Sequence, residues 1–182
     1  MRSESFSDVF IIETSSFSDN RGSFSEIYNK ENILKNGIDT DFIQDNISYS
    51  KNKGTIRGLH FQAGDSAQSK LLRVLSGEIQ DIFIDLRKNS STYEKSGYEI
   101  MNPDTGWIFI PKGFAHGFCT LTDNVQVLYK VDSYYSKENE YGIKWDDKTF
   151  NVNWQINDSK PIISTKDNVL PYWNDIKKNM NF

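Results

Sequence analysis

The chain carries two histidines, His60 and His116, each in a segment with the residue types of proton or metal chemistry. His60 lies within Gly54–Gln62 and His116 within Pro111–Phe118. A metal-binding β-barrel would place a second histidine two residues after His60 and a carboxylate soon after. Gln62 and then Lys70 stand there instead. Two histidines without a third ligand make a poor zinc or iron site. The expected chemistry is therefore proton transfer, with no metal and no cofactor.

Each candidate has an ordinary reading beside the functional one. A lone histidine is usually an exposed or hydrogen-bonded structural group, whereas a carboxylate partner would fix its tautomer and raise its basicity. Arg57 lies three residues before His60, on the opposite face of a regular strand unless Gly58 introduces a bulge. If Leu59 and Phe61 pack between sheets, His60 is exposed; if they pack outward under an extension, it points inward. Lys70 opens an apolar strand, as a solvated edge residue or as a cation able to stabilise an enolate. Tyr129 shares a face with Val125 and Val127, so it is a core tyrosine or a pocket-facing proton donor. In Asp19–Glu26, a turn followed by a strand, Arg21 could hold a phosphate, Phe24 could stack on a base and Glu26 could accept a base N–H. Each of these also fits an ordinary hairpin. Cys119 sits in an apolar run and reads as a buried, inert thiol.

The elements that must position these groups are mostly strands. Alternating and β-rich runs predict strands at Val9–Glu13, Ser23–Tyr28, Phe42–Ser50, Thr55–Gln62, Lys70–Leu75 and Glu78–Leu86. Further strands are predicted at Tyr98–Met101, Trp107–Ile110, Gly117–Leu121 and Val125–Ser133. Ser76-Gly77 reads as a tight hairpin turn. Only Lys30–Asn36 and Tyr172–Asn179 look helical. This spacing predicts an all-β jelly roll or barrel with short C-terminal helical elements. The last third, from Lys137, is expected to wrap it, so that residues 1–182 form one domain.

At 182 residues and a net charge of −4, the chain suits one ordinary domain and argues against nucleic-acid binding. One cysteine excludes an internal disulfide, and no apolar run approaches a membrane span. A cytoplasmic protein without membrane association is expected.

Taken in order, the segments resemble the dTDP-4-dehydrorhamnose 3,5-epimerase family of nucleotide-sugar epimerases, over roughly Val9 to Asp167. The carriers are Asp19–Glu26, Gln44-Asp45-Asn46 with Ser48, Arg57–Gln62, Gln68 with Lys70-Leu71, and Asp85-Leu86-Arg87. Ile110–Phe118, Leu128-Tyr129-Lys130, Tyr134-Tyr135, Trp145-Asp146-Asp147 and Ser164 with Asp167 complete the series. Trp154-Gln155 replaces a more usual Trp-Pro, and Asp146 replaces an asparagine, both outside the acid–base set. The resemblance implies a metal-free cupin-type jelly-roll barrel, usually a homodimer, acting on a nucleoside-diphosphate 4-keto-6-deoxyhexose. It implies His60 as base, Asp167 as its orienting partner, Lys70 as enolate stabiliser and Tyr129 as acid. Arg21, Phe24, Glu26, Gln44, Asp45, Asn46, Arg57, His116, Glu140 and Lys166 are implied in substrate binding, His116 at the anionic end. The expected reaction is epimerisation at C3 and C5 of dTDP-4-dehydro-6-deoxy-D-glucose, for L-rhamnose and surface polysaccharide. The alternatives are epimerisation at one carbon, another nucleoside-diphosphate 4-keto sugar such as a 6-deoxyheptose, or a non-catalytic sugar-binding cupin.

Overall fold

The alternating runs pair as strands, and their apolar parity decides which face each strand buries. The computed structural model describes residues 6–156 and 160–180. In chain order come β1 (Phe10–Ile12), β2 (Ser16–Asp19), β3 (Gly22–Ser25), helix α1 (Lys30–Lys35), β4 (Gln44–Ser50) and β5 (Thr55–Gln62). They are followed by β6 (Lys70–Ser76), β7 (Ile79–Asp85), β8 (Ser96–Met101), β9 (Trp107–Ile110), β10 (Phe114–Thr120) and β11 (Val125–Val131). The C-terminal part adds β12 (Glu140–Gly142), β13 (Ile162–Ile163), α2 (Thr165–Asn168) and α3 (Trp173–Ile176).

One sheet has the order β1-β9-β6-β11-β4 and the other β12-β5-β10-β7-β8. The pairs are antiparallel except that β13 joins β5 in parallel. Hairpin β2–β3 is a separate two-stranded sheet, and among the described residues no ladder joins the two main sheets. Leu72, Val74, Ile108 and Val127 of the first sheet pack against Ile79, Phe83, Met101 and Phe118 of the second. This apolar layer is the main driving force for holding the sheets together.

The outer face of the second sheet supplies a second core. Leu59, Phe61, Ile82, Ile84, Ala115 and Cys119 pack there against Ile143, Phe150, Trp154 and Trp173 of the C-terminal part. That part is pinned at Trp173, which is fully buried. Its backbone N–H donates to Asp147 Oδ2 at 2.5 Å and its indole to Glu94 Oε1 at 2.8 Å. Burial raises the Cys119 thiol to about 11, consistent with an inert group.

Most predicted strands form, with shifted ends. β10 starts at Phe114 rather than Gly117, because Phe114, Ala115 and His116 find partners in Asp85, Ile84 and Phe83. The Ser23–Tyr28 strand shortens and gains β2 as its hairpin partner; both strands are largely exposed, the cross-strand pair Phe17 and Phe24 included. Tyr172–Asn179 divides into α3 and a 3₁₀ turn at Lys177–Asn179. Helix α1 is capped by Asn29, whose side chain accepts from the Glu31 and Asn32 N–H groups. At the predicted turn, Gly77 has φ +78°, and a Cβ there would come within 2.6 Å of Thr122 Oγ1. Among the described residues, no helix is long and apolar enough to cross a membrane.

Candidate active site

The direction of His60 is set by an irregularity in β5. His60 lies opposite His116, but Arg57 lies opposite Phe118, so Gly58 and Leu59 together face Gly117. This is a β-bulge, and it brings Arg57 and His60 to the same side. Gly58 has φ +119°, and a Cβ on it would lie 2.6 Å from Gly117 Cα and 2.8 Å from the His116 carbonyl oxygen. Only glycine allows the two strands to approach so closely. Leu59 and Phe61 face outward into the second core, which selects the inward alternative for His60.

Inside lies a cavity of about 570 Å³ whose wall includes His60, Asp167, Lys70, Tyr129, Arg57, His116 and Lys166. His60 Nε2 is 2.9 Å from Asp167 Oδ1, and the Gly58 N–H donates to Oδ2 at 3.2 Å. Ser164 caps α2 by accepting the Asp167 N–H at 3.0 Å, which fixes the carboxylate in place. Burial opposes ionisation of Asp167, but the bonds from His60, Gly58 and Ser164 hold its carboxyl below the usual range. Asp167 is therefore an anion that accepts the Nε2–H, and His60 Nδ1 is left to take a proton.

The other groups have distinct electrostatic settings. Lys70 is half-buried, with Nζ 3.4 Å from the His60 carbonyl oxygen. Burial pushes its ammonium down to about 8, against the pull of Asp81 and Glu140. Burial raises the Tyr129 phenol, opposed by the nearby Arg57 charge. Arg57 donates to Ser50 Oγ at 3.0 Å and to the Tyr49 carbonyl at 2.8 Å, so its guanidinium is braced from β4. His116 is buried, its Nε2 2.8 Å from Asp81 Oδ2, and burial lowers its proton affinity despite that carboxylate.

At the rim, Lys166 and Glu140 form a 2.6 Å ion pair, and the Tyr135 hydroxyl donates to Glu140 at 2.9 Å. Gln62 is structural: its amide donates to the Ser66 and Tyr134 carbonyls and accepts from the Ser136 N–H. On β4, Asn46 sits in register with Tyr129 and faces the same way, with Gln44 bonded to it at 2.8 Å. Asp45 alternates to the other face and pairs with Lys130 at 2.6 Å. Arg21, Phe24 and Glu26 are exposed, outside the cavity of their own chain, because hairpin β2–β3 stands apart from both sheets. Arg21 there pairs with Asp19 at 2.6 Å.

Sequence reasoning used Ser48 and Tyr135 only as carriers of the resemblance, not as site residues, and did not single out Asp81. Ser48 continues the inward parity of Gln44 and Asn46 and lines the cavity. Asp81 had a visible signal, a carboxylate inside the apolar run Ile79–Asp85. Tyr135 carried only its place in the Tyr134-Tyr135 motif. Among the described residues, no three His, Cys, Asp or Glu side chains cluster as metal ligands would.

Two sheets enclosing a His–Asp pair, an ammonium and a phenol have the parts of a proton-transfer isomerase. The sequence model of the dTDP-4-dehydrorhamnose 3,5-epimerase family matches residues 3–175. The chain belongs to that family and is an enzyme of the isomerase class. A dTDP-4-dehydrorhamnose 3,5-epimerase of Shigella flexneri is 42% identical over 162 residues, 88% of each chain. The crystal structure of the Bacillus anthracis enzyme, with TDP and PPi bound, is 45% identical with a TM-score of 0.87, covering 91% of this chain and 94% of that one. A Legionella pneumophila 3,5-epimerase in complex with dTDP-4-keto-L-rhamnose is 33% identical with a TM-score of 0.91, covering 100% and 96%.

Proposed function

We propose that this enzyme epimerises C3 and C5 of dTDP-4-dehydro-6-deoxy-D-glucose, on the route to dTDP-L-rhamnose, within one cupin-type jelly-roll domain in the cytoplasm. The observation that carries the reading is the placement of base and acid on opposing sheets. His60 reaches the cavity from β5 and Tyr129 from β11. A sugar ring held between them meets a base on one face and a proton donor on the other, as inversion requires.

The 4-keto group acidifies the hydrogens at C3 and C5. His60 Nδ1 takes the proton, and the C–H electron pair moves into the C4 oxygen as an enolate. Lys70 stabilises that oxygen, and Tyr129 delivers a proton to the opposite face of the carbon. Solvent then resets both groups. Arg57 and Lys166 are the cationic wall for the diphosphate, with Glu140, Gln44 and Asn46 in the surrounding polar shell. His116 joins them in substrate binding.

The test is turnover in heavy water, followed by NMR. Deuterium is expected at both C3 and C5, together with 4-keto-L-rhamnose product. Deuterium at one carbon would identify a mono-epimerase, and binding without exchange would identify a sugar-binding protein. Tyr129→Phe is expected to lower formation of inverted product by about 10²-fold while leaving proton removal nearly intact. Equal product formation by the variant would remove Tyr129 as the acid.

The enzyme is also proposed to be a homodimer. The outer side of β4 leaves Ile47 66% and Tyr49 51% exposed, and the hairpin leaves Phe17 67% and Phe24 72% exposed, an unusual display for a monomer surface. A second copy would cover these residues and could bring Arg21, Phe24 and Glu26 to the nucleotide of the neighbouring site. Sedimentation should give twice the 21.1 kDa chain mass; a 21.1 kDa species at micromolar concentration would rule the dimer out.

A further inference from the structure

Behind the cavity wall stands a second histidine–carboxylate pair, whose histidine lines the cavity beside the first. His116 lies opposite His60 across β10 and β5. Each ring is bonded through Nε2, His60 to Asp167 at 2.9 Å and His116 to Asp81 at 2.8 Å. The pairs differ in solvent contact: the His60 side chain is 32% exposed and that of His116 only 7%.

Asp81 is the stranger of the two carboxylates. It is 0% exposed on β7, beside the Phe83 and Phe118 layer. Its Oδ1 is buried with no hydrogen-bond partner among the described residues. A half-satisfied buried carboxylate weakens a fold, so its presence calls for a compensating task. Two groups nearby respond to its charge. Asp81 is the foremost influence opposing the effect of burial on the Lys70 ammonium, and it likewise opposes that effect on His116.

We propose that Asp81 is a positioning residue for the oxyanion side of the site, acting through His116 and Lys70. By accepting the Nε2–H, Asp81 commits a neutral His116 to present Nδ1 as an acceptor to the cavity that it lines. An acceptor suits a hydroxyl of the bound hexose and does not suit a phosphate oxygen. This assigns His116 to the sugar rather than to the anionic end of the substrate. The negative charge of Asp81 meanwhile favours the ammonium form of Lys70, which lines the same cavity as His116. The proposal rests on the epimerase reading for its chemistry but not for its geometry.

Lys70 is faced by Asp81 from β7, Glu140 from β12, His116 from β10, His60 from β5 and Tyr129 from β11. Asp81 is faced in addition by Glu99, its register partner on β8. Asp81→Asn removes one of the two anions acting on Lys70. The basic limb of the kcat–pH profile should therefore move to lower pH by at least half a unit. Asparagine can also donate to Nε2 and so invert the His116 tautomer. A loss of kcat of at least tenfold, with KM changed less than threefold, is expected. Melting temperature should hold or rise, because a half-satisfied buried charge is gone. A lowered melting temperature with a wild-type pH profile would make Asp81 merely structural and overturn the proposal.

A measurement on the unaltered protein needs neither substrate nor variant. With two histidines in the chain, ¹⁵N-histidine labelling gives two ring systems, and His60→Asn identifies which belongs to His116. The His116 ring should be neutral and protonated at Nε2 near pH 7. A ring protonated at Nδ1, or doubly protonated at that pH, would defeat the proposal whatever the exchange assay shows.

Discussion

His60→Asn is expected to abolish deuterium incorporation at both C3 and C5, a loss of about 10³-fold or more in exchange rate. Asparagine keeps the size and polarity of the side chain but has no lone pair able to take a carbon-bound proton. Neither neighbouring candidate can substitute. Lys70 has its amine tied up as an ammonium below about pH 8, and His116 is held by Asp81 in a buried setting that lowers its proton affinity. Asp167 is close, yet its carboxyl is held below the usual range and so makes a weak base. Asp167→Asn should share the defect in weaker form, because an amide can bond Nε2 in the wrong tautomer and gives no charge to balance the imidazolium. Exchange followed by NMR at high enzyme concentration reads both variants. Survival of exchange at one carbon within tenfold of wild type would mean that a different base serves that carbon.

Much of this site was legible one residue at a time, and its assembly was not. The parity of Leu59, His60 and Phe61 could be read, but which side was inside depended on what covered Leu59. The cover is Ile143 and Trp173, from a C-terminal part that has little strand pattern of its own. Asp167 lies 107 residues from His60 and sits on a four-residue helix, too short for any apolar period to announce it. Only the resemblance to a family paired the two. Arg57 and His60 looked incompatible by alternation until the bulge at Gly58 brought them to one side. The run Gln44-Asp45-Asn46 shows the reverse: as a motif it travels together, but alternation divides it, with Asp45 on the outer face.

The folded chain explains why charges so close together coexist. Asp167 and Asp81 each bond a histidine, while Lys70 reaches the His60 carbonyl oxygen and, among the described residues, forms no ion pair with a carboxylate. An ammonium without a carboxylate partner in a half-buried site is costly unless its charge is used, and in the proposed mechanism it offsets the enolate charge. Preorganised charge of this kind needs no rearrangement at the moment of reaction, which is its advantage over solvent.

Lys70→Gln should lower kcat by about 10²- to 10³-fold, the range found when one oxyanion donor is removed. The glutamine can still donate a hydrogen bond, so part of the stabilisation survives and the loss should be smaller than for His60→Asn. The pH dependence separates charge from mere contact. In the wild type the group is an ammonium below about pH 8 and a neutral amine above it, because burial depresses its proton affinity from that of a free lysine. Only the ammonium offsets the enolate charge, so the activity that depends on it is present below about pH 8 and lost as pH rises through that value. Glutamine does not titrate, so this basic limb should vanish in the variant and leave a flat profile up to the region where Tyr129 ionises. Stability should move the other way. The native state binds the Lys70 proton more weakly than the unfolded chain does, so below about pH 8 the charged lysine opposes folding, and replacing it should hold or raise the melting temperature. A variant that keeps the basic limb near pH 8 would place that ionisation on another group and remove Lys70 as the stabiliser of the enolate.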